Sequence, residues 1–228
     1  MKLLALGAHP DDIEIYMFGL LAACAARGDR LDYAIATDGA RGGKGDAAQL
    51  ASTRKQEATA AAALLGVEPR FLDFPDGRLV ADAALVNALR EVIGGVRPDL
   101  VVTHAPNDYH GDHRALSDAA RIAVSFHAPL LVADTLGGVG FVPTHYVDVT
   151  AQFARKEMAI RAHRSQDPER FVLATRTLNG FRAGQANAGP DAFAEAYRFE
   201  PVFPFVDIRE LLPPAPPVRP VADRRRRD

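Results

Sequence analysis

Residues 2–14 read Lys2-Leu3-Leu4-Ala5-Leu6-Gly7-Ala8-His9-Pro10-Asp11-Asp12-Ile13-Glu14, and they decide the fold. The first half is a short continuous apolar run, the pattern of a strand buried on both faces of a sheet. The second half places an imidazole and two adjacent carboxylates where that strand ends. Open α/β sheets bind ligands outside the carboxyl ends of their strands, in the crevice between strand and helix. A helix cap accounts for only part of this cluster. One aspartate at the cap contributes about 1 kcal/mol, and the second aspartate and His9 then have no role.

Outward from this stretch, short apolar strands alternate with helices. A helix is expected over Ile13–Arg27, closed by Gly28, and a strand over Leu31–Ala36. The loop that follows, through Gly42-Gly43-Lys44-Gly45, is glycine-rich without phosphate-loop spacing and is read as an active-site loop. A helix over Ala47–Leu65 stops at Gly66, and Arg70–Phe74 forms the next strand. Asp82 caps a helix with Leu85, Leu89, Val92 and Ile93 on one stripe; Leu100–Thr103 is a fourth buried strand. His113–Phe126 reads as helix, Tyr146–Val149 as extended, and Thr150 as the cap of a last long helix through Ala162. This alternation predicts an α/β fold, a Rossmann-like three-layer sandwich with a mainly parallel sheet, in one domain over residues 1–212. Residues 213–228, with Pro213-Pro214-Ala215-Pro216-Pro217 and the run Arg224–Arg227, have the composition of a disordered, solvated tail.

The bulk composition narrows the function. The 228 residues carry 27 Lys and Arg against 29 Asp and Glu, a net charge of −2, so no global field calls for nucleic acid or an anionic membrane. The single cysteine, Cys24, excludes an intrachain disulfide, sits in an apolar helical stretch as an inert thiol, and suits a reducing cytoplasm. Ile13–Ala26 is too short to span a bilayer, and Asp11-Asp12 interrupts any secretory signal. A cytoplasmic protein with a small-molecule partner is expected, with no nucleic acid and no membrane span. The apolar first helix and Phe199–Phe205 could serve a homo-oligomer interface or the core.

A second cluster follows the fourth strand: His104, then Asn107-Asp108-Tyr109-His110-Gly111-Asp112-His113. It too lies at a strand's carboxyl end, so the fold can bring it beside the first. Two histidines and an aspartate from two strand ends suffice for a three-ligand catalytic zinc with an open position. His9 and Asp12 are three apart at a helix start, so both can turn to one point, and Pro10 stiffens the turn between them. If Asp12 binds metal, Asp11 stands free to take a proton from water at the open position. If His113 is a ligand, His110 is free to stabilise an oxyanion or protonate a leaving amine. Metal, base and acid add up to hydrolysis of an amide or ester. Ferrous iron fits the same nitrogen and oxygen donors.

The Ala8–Glu14 and His110–His113 segments resemble those of the LmbE-like, or PIG-L, zinc-dependent de-N-acetylases, which include the deacetylases of mycothiol and bacillithiol synthesis. Arg54–Glu57 running into Ala58–Gly66 looks like that family's Arg-x-x-Glu helix, and Lys156 through His163, Ser165 and Gln166 like its late segment. The resemblance implies zinc on His9, Asp12 and His113, Asp11 as general base, and His110 as the charged partner of the oxyanion. It implies removal of the N-acetyl group from an N-acetylglucosamine-containing small molecule. It also implies that Arg54 contacts the sugar; an exposed i,i+3 pair with Glu57 is the alternative. Asp112, beside His113, is expected to orient a histidine or to be a solvated turn residue. Tyr109 is a candidate oxyanion donor, and His163 either closes the site or complements a helix dipole. Glu14 reads as a first-turn helix charge, and His104 as a pocket or structural residue. Two other functions stay open. One is metal-dependent hydrolysis of a non-sugar N-acyl amide or ester. The weaker one is a non-catalytic sugar- or nucleotide-binding module, which leaves the clustered carboxylates and histidines unused.

Overall fold

The carboxyl ends of four parallel strands gather the polar clusters at one edge of the sheet. A computed structural model describes residues 1–219. Its strands are β1 (Lys2–Gly7), β2 (Arg30–Thr37), β3 (Arg70–Phe74), β4 (Leu100–Thr103), β5 (Leu130–Ala133), β6 (His145–Asp148) and β7 (Ala194–Phe199). They form one sheet of seven in the order β3-β2-β1-β4-β5-β7-β6. Pairing is parallel from β3 to β5, whereas β7 runs antiparallel to both β5 and β6. The helices are α1 (Asp12–Tyr16), α2 (Phe18–Ala26), α3 (Ala47–Ala63), α4 (Ala83–Val96), α5 (Gly111–Ala123), α6 (Phe153–Arg161) and α7 (Pro168–Gln185).

The period-two alternation of each strand explains the three layers. Leu3, Ala5, Tyr33, Ile35, Leu100 and Val102 pack on one face, under α1, α2, α3, α6 and α7. Leu4, Leu6, Ala34, Ala36 and Val101 pack on the other, under α4 and α5. Both faces are covered, hence the continuous apolar runs. The chain leaves β1 into α1 on the first face and leaves β4 into α5 on the second. The crevice between the carboxyl ends of β1 and β4 is therefore the sheet's topological switch point.

Three expectations need correction. The single helix over Ile13–Arg27 is two, broken at Met17 with φ −133° and ψ −9°. Glu195 of β7 explains the break: its carboxylate accepts the Gly19 and Leu20 N–H groups at 2.8 and 2.7 Å, donors that the first turn of α2 leaves without helical partners. Buried Lys156 neutralises that carboxylate at 2.5 Å, and the Tyr197 hydroxyl donates to it at 2.6 Å. Second, Thr150 opens a 3-10 turn, not the cap of a last helix; α6, α7 and β7 follow it. Third, residues 213–219 lie against the domain instead of forming part of a disordered tail. The Asp148 N–H of edge strand β6 donates to the Pro214 carbonyl at 2.9 Å, and the Arg219 N–H donates to the Asn187 carbonyl at 3.0 Å. Proline lacks a donor but keeps its acceptor, so such a segment suits a sheet edge. The run Arg224–Arg227 lies outside the described residues. Of the Phe199–Phe205 stretch, Phe199 is in the core and Phe203 is exposed. Among the described residues no helix is long and apolar enough to cross a membrane.

Candidate active site and metal centre

The loop after β1 and the first turn of α5 meet in the crevice. His9 Nδ1 lies 3.2 Å from His113 Nε2 and 3.2 Å from Asp12 Oδ2, and His113 Nε2 lies 3.3 Å from Asp12 Oδ1. These three edges test the fit to a metal. Donors at Zn–N and Zn–O distances of about 2.0–2.1 Å in a tetrahedron stand about 3.3–3.4 Å apart. The two ring nitrogens stand at about that spacing, each with a different Asp12 oxygen as near, and two imidazoles with one carboxylate are the donor set a zinc or ferrous ion takes. His110 also brings a ring nitrogen within 4.8 Å of donors on His9 and His113.

Each triangle histidine has its other nitrogen held by a carboxylate, which fixes the tautomer. His113 Nδ1 is 3.0 Å from Asp108 Oδ1. His9 Nε2 is 3.2 Å from both Asp76 Oδ1 and Asp112 Oδ2. Asp112 accepts the Gly77 and Leu79 N–H groups at 2.7 and 3.1 Å, and Asp76 accepts the Arg41 N–H at 2.8 Å. Asp112 thus reaches across to His9, because successive residues on a helix point in different directions. Asp108 is the carboxylate beside His113. Burial opposes protonation of both histidines. Asp12 and Asp108 nonetheless hold His113 up to about 9, and Asp12, Asp112 and Asp76 raise His9. A metal would displace those protons, so its affinity falls with falling pH.

His104 is buried beneath the triangle. Its Nε2 lies 3.1 Å from Asp12 Oδ2, and its ring stacks on His113 at 3.9 Å between centroids. Burial and the neighbouring His113 push its pKa down to about 4, so it is a neutral floor for the site.

Asp11 stands beside the triangle on a strained backbone, with φ 142°. Such a conformation in a non-glycine residue costs about 1–3 kcal/mol and persists only where the surroundings enforce it. Arg54 of α3 is that surrounding. Its guanidinium lies 3.1 Å from Asp11 Oδ2 and donates to the Pro10 and Gly39 carbonyls at 2.8 and 3.0 Å. Gly42 closes over it; a Cβ there would come within 2.2 Å of Arg54 Nη1. Burial pushes the Asp11 carboxyl up to about 6 against the pull of Arg54. The exposed Arg54–Glu57 pair is not formed. Arg54 is buried, and Glu57 instead accepts the Ser165 N–H and hydroxyl at 2.8 and 2.6 Å.

His110 caps α5: its Nδ1 accepts the Asp112 N–H at 3.2 Å, which places the ring proton on Nε2. Burial, with the neighbouring His9 and His113, holds its pKa below the usual value. His163 is buried and does not line the cleft; it lies 3.1 Å from Glu14 Oε2, and both belong to the packing of α1 on the segment after α6.

A cleft of about 540 Å³ opens above these groups, lined by His9, Asp11, Asp12, Asp76, Asp112 and His113 at its base, with Arg54 and His110. Tyr109, 65 % exposed, Arg41, Gln166, Arg170 and Phe171 form its upper walls. Sequence reading missed Asp76, Arg41, Arg170 and Phe171, and gave Asp108 no role of its own within the second cluster. Asp76 carried a usable signal, since it follows the carboxyl end of β3.

Residues 4–124 match the family described as PIG-L, GlcNAc-PI de-N-acetylase. The chain belongs to this family. Diacetylchitobiose deacetylase of Thermococcus kodakarensis is 31% identical over 189 residues, covering 74% of this chain and 71% of that protein. The solved N,N'-diacetylchitobiose deacetylase from Pyrococcus horikoshii superposes with a TM-score of 0.79 at 26% identity, over 91% of this chain and 88% of that one. A 4-oxalmesaconate hydratase of Pseudomonas putida is 30% identical over 119 residues, 48% of this chain and 46% of that protein. The relatives include deacetylases named for diacetylchitobiose, and this chain is an enzyme of that family with their three-layer fold.

Proposed function

We propose that the protein is a metal-dependent deacetylase that hydrolyses the acetamide of an N-acetylglucosamine-containing small molecule. In this reading His9, Asp12 and His113 hold the metal and Asp11 is the general base. The carrying observation is that His9 Nδ1 and His113 Nε2 lie 3.2 Å apart on the cleft floor, each 3.2–3.3 Å from one oxygen of Asp12, next to a separate carboxylate. A divalent ion bound there polarises the amide carbonyl and acidifies water. Zinc suits the donors, as does ferrous iron.

Asp11 takes the proton from the attacking water. A carboxyl near 6 is mostly ionised at neutral pH yet basic enough to share that proton. His110 donates from Nε2 to the carbonyl oxygen as negative charge develops on it. The proton held on Asp11 passes to the departing nitrogen, which leaves as a free amine with acetate as the second product. Asp76 and Asp112 keep His9, and Asp108 keeps His113, in the tautomer that faces the triangle. Buried Cys24, its thiol pushed up to about 12 by burial, plays no part and suits a reducing cytoplasm.

The hydratase relative supports a second reading, in which the same activated water adds to a double bond of a carboxylated substrate. Acetate release from N-acetylglucosaminides, measured before and after chelation and after reloading with zinc or ferrous iron, separates the two. Asp11→Asn is expected to keep the metal and lose acetate release by about 10²–10⁴-fold. Near-normal turnover in that variant, or activity indifferent to chelation, removes the assignment. Uptake of one water with no acetate favours the hydratase.

A further inference from the structure

His104 is a buried imidazole that the proposed reaction does not use. Strand register sets its place. β4 pairs with β1 so that Val102 stands opposite Ala5, which carries the residue after Thr103 up beside the loop that bears Asp12. The ring stacks on His113 with 3.9 Å between centroids and 13° between planes, and Tyr16 meets it edge-on at 5.3 Å.

Its two nitrogens are unequally served. Nδ1 is enclosed with no hydrogen-bond partner among the described residues. Nε2 faces two groups at once, the Ala8 N–H at 3.2 Å and Asp12 Oδ2 at 3.1 Å. A neutral imidazole carries one proton, so Nε2 can serve only one of them. With the proton on Nδ1, a buried donor goes unpaired and the Nε2 lone pair faces a carboxylate. With the proton on Nε2, the ring donates to that carboxylate, a charge-assisted bond about twice as strong as the neutral one from Ala8. The proton therefore sits on Nε2, facing Asp12.

Asp12 Oδ2 then has two donors, His104 Nε2–H and the His9 N–H at 2.6 Å. Oδ1 is turned the other way, 3.3 Å from His113 Nε2. His104 has a donor atom close enough to share an ion with Asp12 and His113. The stack bars that arrangement. A ring nitrogen's lone pair lies in the ring plane, so an ion in the plane of His113 stands well out of the plane of the ring stacked on it.

We infer that His104 is a positioning residue for Asp12: it holds Oδ2 and leaves Oδ1 as the oxygen free to face an ion. This rests on the metal assignment within the deacetylase reading. The test compares the parent protein with His104→Phe, which keeps a stacked ring without a donor, and His104→Gln, whose amide extends about as far as Nε2 and can donate. Two readouts need no substrate. One is zinc affinity in competition with a chelator; the other is the visible absorption of the cobalt(II) form, which weakens as coordination number rises. His104→Phe is expected to bind zinc about 10–100-fold more weakly. Its cobalt form should absorb less, because Oδ2 is released to join the ion. His104→Gln should recover most of both losses. Melting temperatures of the metal-free proteins report packing by itself, and His104→Leu replaces His104→Phe if the latter does not fold. Parent-like affinity and spectrum in the donorless variant, or an equal loss in His104→Gln, overturns the inference. A parent protein that binds no divalent ion overturns it together with the metal assignment. The expected metal effects without acetate release support it and remove the deacetylase reading alone.

Discussion

Replacing Arg54 by Met tests whether this residue tunes the base or touches the substrate. The Arg54 guanidinium is 3.1 Å from Asp11 Oδ2, and both side chains are nearly enclosed. At that separation two unit charges interact by about 5 kcal/mol at an effective dielectric of about 20. With about 1.4 kcal/mol per pKa unit, the ceiling is between three and four units. Relaxation and entering water reduce this, and one unit is the least expected. The sign follows from charge: Arg54 favours ionised Asp11, so its removal raises a carboxyl that already stands at about 6. A base ionised to about nine-tenths at pH 7 then falls to half or less. The assay is the pH dependence of kcat/KM for acetate release by the metal-loaded enzyme between pH 5 and 9. A bound metal lowers the starting value in both proteins, so the comparison is of the acid limbs. In Arg54→Met that limb should move up by one unit or more, with activity recovering towards pH 9, and Arg54→Lys should move it less. A uniform loss of activity with the limb unmoved would refute the argument. It would return Arg54 to the sugar-contact role that the family resemblance implied.

Other outcomes follow from the polar framework. Asp108→Asn weakens the partner that fixes His113 at 3.0 Å, and should reduce metal affinity by about 10–100-fold in a competition titration with a chelator. Activity at saturating metal should fall much less. Lys156→Met leaves Glu195 charged and buried against the α2 N-terminus, and should destabilise the fold by about 3–5 kcal/mol in urea unfolding. A loss under 1 kcal/mol would mean that water or a shifted proton replaces the lysine.

Local sequence carried much of this protein. The apolar run Leu3–Leu6 has the pattern of a strand covered on both faces, and the stops at Gly28, Gly66 and Pro98 set element ends to within a residue or two. The rule that ligands gather at strand carboxyl ends singled out His9, Asp11, Asp12, His110 and His113. The break at Met17 was not legible, because it answers to Glu195, almost 180 residues later in the chain. β5, β7 and α7 escaped notice: Leu130–Ala133 is only four residues long, α7 lacks a clean apolar stripe, and the Ala194–Phe199 strand holds buried Glu195 among its apolar residues.

The sequence by itself determined the parallel α/β frame and the chemical inventory of the site. Tertiary structure decided who partners whom. Asp112 finds His9 across the crevice; Arg54 turns from Glu57 to Asp11; His163 sits on Glu14. The reason is physical. A strand or helix is set by contacts between residues close in sequence, whereas a buried charge must find its counter-charge wherever packing has put one.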